Sequence, residues 1–146
     1  LMKRIAAAAG LLLTMTGWAP APDAVDLQLV FSELRSDRGL LRFCVSHADD
    51  KFPSCADVAP EQRFSVAAAA TVGFTVHGVR PGHYAVAAIH DENGNARLDK
   101  SFVGMPTEGI GFSRNPKLVF GPPKFASAEF DAAAEPQQTI RIKYYL

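Results

Sequence analysis

Apolar and polar residues alternate with a period of two along much of the chain after residue 24, which is typical of β-strands that bury one face. The apolar positions of the clearest stretches are Leu27, Leu29 and Phe31; Leu41, Phe43 and Val45; Val72, Phe74 and Val76; Tyr84, Val86 and Ala88; and Ile140, Ile142 and Tyr144. Residues 117–120 and 127–130 are shorter candidates. The pattern predicts about seven short strands and no long helix.

Clusters of glycine, proline, asparagine and aspartate separate these stretches, as expected for tight turns. Arg38-Gly39 lies between the first two stretches, so we expect 27–31 and 41–45 to form a hairpin. Because each strand has one apolar face, packing two sheets face to face is the usual way to bury it. The sequence therefore predicts an all-β fold, an antiparallel β-sandwich of about seven strands that forms a single domain over residues 25–146.

The first 24 residues follow a different pattern. Lys3 and Arg4 precede an apolar run at residues 5–15, and small residues and prolines follow at 17–24. That order is typical of a secretion signal peptide, and the run is too short for a transmembrane helix, which needs about 20 residues. We predict that residues 1–24 are a signal peptide, that the protein is periplasmic or secreted, and that no membrane span remains after signal removal.

Both cysteines of the chain, Cys44 and Cys55, lie in the part that would be exported. In an oxidising compartment outside the cytoplasm, two nearby thiols usually form a disulfide. Their spacing does not fit a CxxC redox or zinc pair. We therefore predict a structural disulfide, with two free thiols or a bridge to another chain as the alternatives.

The charge balance and the lack of catalytic motifs argue against several classes of function. The chain has 15 basic and 15 acidic residues, whereas nucleic-acid binders carry a basic surface that neutralises phosphates. It contains no GxSxG, HExxH or CxxC motif, and its four histidines show no metal-ligand spacing. A hydrolase would require Ser113, His90 and an aspartate to come together in the folded protein. We expect a protein that is not an enzyme and does not bind nucleic acid.

A polar loop is the strongest local feature, since residues 90–99 read HDENGNARLD. Alternate residues of such a loop can turn their oxygens toward one point, and calcium binds six to eight oxygens from mixed carboxylates and amides. Glu92 or Glu108 could add a carboxylate. The metal ligands that the spacing predicts are Asp91, Asn93, Asn95, the backbone carbonyl of Arg97, and Asp99.

The match to the calcium loop of helical proteins is partial. Ala96 stands where that loop requires glycine, and Phe102 stands where it needs a bidentate glutamate. We expect any calcium site to be a loop between strands with an affinity of about 10⁻⁴ to 10⁻³ M. Asn93-Gly94 is also a strong signal for a hairpin turn, so a metal-free polar turn is the alternative.

A long, glycine-rich connection follows at residues 104–116. Connections longer than about 12 residues without regular structure are often functional. It is either a loop folded over one end of the sandwich or the lip of a ligand site, with Glu108, Phe112, Ser113 and Arg114 as candidate contacts. The phenylalanines at 31, 43, 74, 112, 120, 125 and 130 are expected in the core rather than in a stacking platform.

Three stretches, HDENGNARLD at 90–99, FVGMPTEGIGFSRNP at 102–116 and FGPPKFASAEF at 120–130, resemble the bacterial exported proteins grouped as domain of unknown function 2141. The resemblance extends over roughly residues 27–145, with one departure at Ala96, where the family usually carries glycine. The turn at Pro81-Gly82 and the following polar loop are also similar to transthyretin-like and carboxypeptidase-regulatory-like sandwiches. The resemblance implies a seven-stranded prealbumin-type fold in an exported protein, and it implies no activity.

The residues and the resemblance together lead us to expect a non-catalytic, exported β-sandwich that serves as a binding or accessory module at the cell envelope. Calcium is its candidate cofactor, and its partner would be an envelope component. The alternative is a module that binds a small ligand or a carbohydrate through residues 104–116. A hydrolase is the third hypothesis.

Overall fold

The structure, a computed structural model, describes residues 23–48 and 50–146. Its strands are β1 (Val25–Ser32), β2 (Leu40–Ser46), β3 (Arg63–Ala67), β4 (Val72–Val79), β5 (His83–Asp91), β6 (Gly109–Phe112), β7 (Phe130–Asp131) and β8 (Gln137–Arg141). A 3₁₀ turn at Pro60–Gln62 and a one-turn helix, α1 (Phe125–Ala128), complete the regular elements. Within the described ranges, no helix is long and apolar enough to cross a membrane. The predicted signal peptide, residues 1–24, lies outside the described residues except for its last two positions.

The strands form two sheets that enclose one main core, which confirms the predicted all-β sandwich. One sheet has the order β4-β1-β8, and the other has the order β3-β2-β5-β6 with the short β7 also paired to β5. The pair β1–β8 departs from the antiparallel pattern, since its strands run parallel with Gln28 opposite Gln137. After β8 the chain reaches the other sheet, where Lys143 and Ile110 exchange two backbone hydrogen bonds of 2.8 and 2.9 Å.

The predicted hairpin between the first two strands is wrong, because β1 and β2 lie in different sheets. Phe31 of β1 and Phe43 of β2 meet across the sandwich, with ring centroids 4.7 Å apart. Both strands carry a strongly apolar face, and only opposing sheets let these faces pack directly on each other. The connection at residues 33–39 crosses the end of the core, where it buries Leu34.

The main core consists of the apolar positions that the alternation predicts. Its most buried members in β1 and β2 are Leu27, Leu29, Phe31, Leu41, Phe43 and Val45. Burying such a side chain contributes about 1.5–3 kcal/mol each. Strand β5 is buried on both faces, because Val86 faces this core while Ala87 faces a second apolar cluster on the outer side of its sheet.

Residues 109–112, which the sequence analysis places in a loop, form strand β6 beside β5. The alternation is hidden here because the core-facing positions are glycines. A Cβ on Gly109 would lie 2.5 Å from both Ile142 and Tyr144, and a Cβ on Gly111 would lie 2.8 Å from Ile142. The chain after residue 139 therefore occupies the space that larger side chains on β6 would need.

The shorter strand candidates fare differently. Residues 117–120 form no strand. Within 127–130, α1 ends and β7 begins, so only Phe130 of that stretch lies in a strand. Strand β3 was not predicted, although its half-buried Phe64 and Val66 follow the same period of two.

The predicted disulfide between Cys44 and Cys55 is confirmed. It joins buried Cys44 of β2 to a residue in the connection before β3. The two cysteines are 11 residues apart, and a loop of this size contributes about 2–3 kcal/mol in the chain-entropy model. The bond holds this connection against the outer face of the five-stranded sheet, where Val58 is buried.

Candidate functional site

A broad groove lies on the outer face of the five-stranded sheet, on the side away from the main core. Its volume is about 920 Å³, which suits a small-molecule site. Ala87 and Ile89 of β5 and Ile110 and Phe112 of β6 line it. Ile89 is the register partner of Ile110, and Ala87 is that of Phe112, so the pairing of these two strands builds the floor.

Three connections form the walls of the groove, at residues 51–55, 98–106 and 118–122. The first is fixed by the disulfide at Cys55. The second is closed by backbone hydrogen bonds within the loop and at its base, among them one of 2.9 Å from the N–H of Thr107 to the carbonyl of Asp99. The third is anchored by Leu118, which packs into the second apolar cluster. Each wall is therefore held by a defined contact.

The second and third walls carry exposed apolar side chains. Phe102 and Phe120 are 102% and 95% exposed, and Val103 and Val119 are 64% and 78% exposed. A glycine with positive φ directly follows each pair and turns the chain back. We call these four residues the apolar tips. Large apolar side chains grouped in this way on a surface usually mark an interaction site.

The charges that line the groove are basic. Within the described part of the chain, its charged lining residues are Lys51 and Lys100. Lys51 lies 3.8 Å from Asp57, whereas Lys100 forms no ion pair with any described residue. The groove is thus mainly apolar with a basic rim, and it suits a neutral or anionic molecule.

Of the residues predicted as ligand contacts in 104–116, Phe112 lines the groove. Ser113 is buried, and its hydroxyl is hydrogen bonded to backbone groups of β5 and α1. Arg114 forms a surface ion pair, and Glu108 faces the polar loop. The structure therefore does not bring these four side chains together.

The polar loop after β5 is anchored by Asp91, which is fully buried. Its carboxylate accepts hydrogen bonds from the backbone N–H groups of Asn95 at 3.1 Å and Ala96 at 2.8 Å. Arg42 of β2 donates its Nε to the same carboxylate at 2.6 Å. Burial alone raises the pKa of Asp91, but Arg42 and the two N–H groups outweigh burial and lower it. Asp91 therefore fixes the start of the loop to the sheet as a carboxylate.

The remaining predicted calcium ligands lie on the exposed side of this loop. The amide groups of Asn93 and Asn95 donate hydrogen bonds to the carboxylate of Asp99 at 2.6 and 2.9 Å. Their side-chain oxygens accept hydrogen bonds from the N–H groups of Asn95 and Arg97. The described residues contain no group of three or more histidine, cysteine, aspartate or glutamate side chains placed to hold a metal. The loop is closed by its own hydrogen bonds, and calcium binding stays a prediction.

Glu108 joins the polar loop to the start of β6. Its carboxylate accepts hydrogen bonds from the N–H groups of Glu92 and Asp99, both at 3.1 Å. Burial raises the pKa of Glu108, and the negative charges of Asp99 and Asp91 add to this rise. Glu108 thereby holds both ends of the loop that leads into the second wall.

Glu92 joins the polar loop to the connection between β1 and β2. It accepts hydrogen bonds from Arg35 at 2.5 Å, Ser36 at 2.9 Å and Arg38 at 3.1 Å. Burial alone would raise the pKa of Glu92, but these donors lower it to about 2. The charged form of Glu92 therefore stabilises the folded state.

Replacing Glu92 by glutamine should lower the free energy of unfolding at neutral pH by about 1–2 kcal/mol, because Arg35 and Arg38 lose their charged partner. Since the pKa in the folded state lies below the ordinary value of 4.5, the contribution is complete above pH 4.5 and is lost as the pH falls toward about 2. Urea denaturation over this range measures it. The free energy of unfolding of Glu92→Gln should depend less on pH than that of the wild type. The exposed control Glu61→Gln should follow the wild type, and equal curves for the two variants would contradict the expectation.

His90 is fully buried, and both of its ring nitrogens have partners. Nδ1 lies 2.7 Å from the hydroxyl of Tyr144, and Nε2 lies 2.8 Å from the carbonyl of Arg38. Because a carbonyl only accepts, Nε2 carries a proton and donates it to Arg38. Ser113 uses its hydroxyl elsewhere, so the structure does not join it to His90.

The sequence pattern did not reveal the apolar tips, and we predicted that Phe120 lies in the core. Among the phenylalanines expected there, Phe31, Phe43, Phe112 and Phe130 are buried and Phe74 and Phe125 are partly buried. A signal was available, because both tips lie in segments rich in glycine and proline that lack the period of two. An apolar pair directly before a turn glycine is expected at the surface rather than in the core.

Comparisons with known proteins identify the family and nothing closer. No curated protein and no solved structure gives a significant match to the chain. One family matches over residues 30–141, which is most of the chain, and it is described as an uncharacterized protein conserved in bacteria. The disulfide-linked β-sandwich described above therefore belongs to this bacterial family, domain of unknown function 2141.

Proposed function

We propose that this domain is a non-catalytic binding module of the bacterial cell envelope that holds a small apolar or amphiphilic ligand in its groove. The observation that carries the proposal is an open groove of about 920 Å³ with an apolar floor on the outer face of the sheet. Most ligand sites are concave, mainly apolar and formed before the ligand binds. The disulfide, the bacterial family and the signal-like leader support a place outside the cytoplasm.

The lining favours an apolar ligand over a carbohydrate. Ile89, Leu98 and Met105 contribute aliphatic side chains from the floor and the second wall. A carbohydrate would require many polar partners for its hydroxyl groups, because buried polar groups without hydrogen bonds are costly. The lining supplies few such groups, among them Ser54 and Tyr145. An elongated apolar molecule loses fewer hydrogen bonds to water than a carbohydrate does when it binds this surface.

The proposal is tested with N-phenyl-1-naphthylamine, a neutral apolar dye whose fluorescence rises in apolar surroundings. We expect saturable binding by the wild-type protein. Replacing Ile89 by arginine should reduce the affinity for the dye by at least about tenfold, because the guanidinium in the floor resists removal from water. Fluorescence titration of both proteins measures the effect.

The matched control is Val30→Arg. Val30 is a half-exposed, β-branched residue in the central strand of the other sheet, at 38% exposure. This control should bind the dye as the wild type does. A wild-type protein that does not bind the dye, or equal losses in the two variants, would contradict the groove as the binding site.

Calcium is a separate proposal that concerns the polar loop. If the loop binds calcium, titration of the protein with calcium chloride should release or absorb heat, and millimolar calcium should raise the melting temperature. Both effects should be lost in Asp99→Asn, which removes the loop carboxylate that Asn93 and Asn95 contact. Absence of heat and of a thermal shift in the wild type would leave the metal-free turn as the correct interpretation.

A further inference from the structure

The apolar tips belong to two separate walls of the groove, and Val103, Val119 and Phe120 line it. Phe102 and Phe120 are almost completely exposed, although each would bury a large apolar area in a suitable partner. Phe120 directly precedes Gly121 and Phe102 lies two residues before Gly104, so both belong to turns rather than to a flat sheet surface. They therefore form two exposed apolar ridges beside the groove.

The charged residues nearest to these ridges in the sequence are basic. Residues 100–107 carry Lys100 and no acidic residue, and residues 115–128 carry Lys117 and Lys124 and no acidic residue. Among the residues that the structure describes, none of these three lysines forms an ion pair. Apolar tips flanked by unpaired lysines are complementary to a surface that is apolar inside and anionic outside.

We infer that the apolar tips insert into the interface of an anionic phospholipid bilayer, with Lys100, Lys117 and Lys124 held at the lipid phosphates. Side chains that bind in this way enter the boundary between headgroups and acyl chains by about 5–10 Å. Lysines near such a surface each contribute attraction to anionic lipids. The domain would thus dock on a membrane from outside the cytoplasm, with the mouth of its groove against the lipid.

A bilayer fits the two ridges better than a protein surface does. A folded partner would need a surface that matches both ridges, because stable protein interfaces are closely packed. Fluid acyl chains adapt to both ridges without such a match. The inference does not rest on the proposed function, since the tips can dock whether or not the groove holds a ligand; Val103, Val119 and Phe120 also line the groove, and Phe102 does not.

Flotation with lipid vesicles tests the inference, using the chain from Asp23 onward, which contains every described strand. We expect binding to vesicles of phosphatidylcholine and phosphatidylglycerol in equal parts, and little binding to phosphatidylcholine alone. Replacing Phe102 and Phe120 together by serine should lower the partition coefficient by at least about tenfold. The control Val30→Ser, on the outer face of the other sheet, should bind as the wild type does.

The lysines are tested in the same assay. Replacing Lys100 or Lys124 by glutamine should weaken binding by about fivefold each, and the dependence on salt concentration should fall. Ile89→Arg should keep its vesicle binding, because Ile89 lies in the floor. This variant separates failure of the groove proposal from failure of the membrane inference.

Tryptophan fluorescence reports the position of the tips directly. The chain has one tryptophan, Trp18, so the protein from Asp23 onward contains none. Phe102→Trp and Phe120→Trp should shift their emission to shorter wavelengths on anionic vesicles and be quenched by brominated acyl chains, whereas Val30→Trp should show neither effect.

Three results would overturn the inference. The first is no binding to anionic vesicles, and the second is binding that the serine substitutions leave unchanged. The third is a dimer in solution that these substitutions dissociate in the absence of vesicle binding, because the tips would then cover a second copy of the chain.

Discussion

Replacing Asp91 by alanine is expected to lower the free energy of unfolding by about 3–5 kcal/mol, the largest effect of any single substitution proposed for this domain. Asp91 is fully buried and accepts hydrogen bonds from Arg42, Asn95 and Ala96. Its loss leaves a partly buried guanidinium without its partner, and it leaves two N–H groups of the loop without an acceptor. Urea denaturation of the wild type and the variant measures the difference.

Asp99→Ala is the matched control, because Asp99 belongs to the same loop but receives its side-chain hydrogen bonds from the exposed amides of Asn93 and Asn95. It should cost less than about 1 kcal/mol. The double variant that combines Asp91→Ala with Arg42→Met should lose less stability than the sum of the losses in the two single variants. The reason is that no unpaired guanidinium remains in the double variant. Equal losses for Asp91→Ala and Asp99→Ala would show that the ion pair between Arg42 and Asp91 does not anchor the loop.

Replacing Gly109 by alanine should lower the free energy of unfolding by about 1–3 kcal/mol. The new methyl group would lie 2.5 Å from Ile142 and Tyr144, so the residues after β8 must move away from β6. Such a movement strains the two backbone hydrogen bonds between Ile110 and Lys143. Thermal and urea denaturation should both detect the loss.

Gly73→Ala provides the control for this substitution. Gly73 also lies within a strand, β4, but a Cβ there meets no atom within 4 Å. Its replacement should leave the stability unchanged or raise it by up to about 1 kcal/mol, since alanine restricts the unfolded chain. If Gly109→Ala and Gly73→Ala behaved alike, the close packing of β6 against the residues after β8 would not be a source of stability.

The sequence predicts the strands of the core well, because their period of two is a direct result of burying one face. Leu27, Leu29 and Phe31 show this in β1, and all are buried. The period fails where a strand is covered on both faces or has glycine on its core side, as at Gly109 and Gly111 of β6. The hairpin between β1 and β2 was predicted wrongly because alternation specifies which face is buried but not which strand lies beside it.

The candidate site was only partly predictable. Phe112 was identified as a possible ligand contact and lines the groove. Ser113 and Glu108 were identified on the same grounds, yet both use their side chains to hold the backbone. Position within a loop does not reveal whether a polar side chain faces solvent or satisfies a buried N–H group. The walls of the groove come from three distant segments, and no local pattern brings them together.

The parallel pairing of β8 with β1 has a consequence for how the chain reaches its final form. The first and last described strands are neighbours, with Gln28 opposite Gln137 and Ser32 opposite Arg141. Because β8 is the last strand that the structure describes, β1 lacks one of its two neighbours until residues 137–141 join the sheet. Such long-range closure is slow, and the waiting strand edge is prone to aggregation. Pairing of β8 with β1 is thus the step that covers this edge, and it joins residues that are 109 positions apart in the chain.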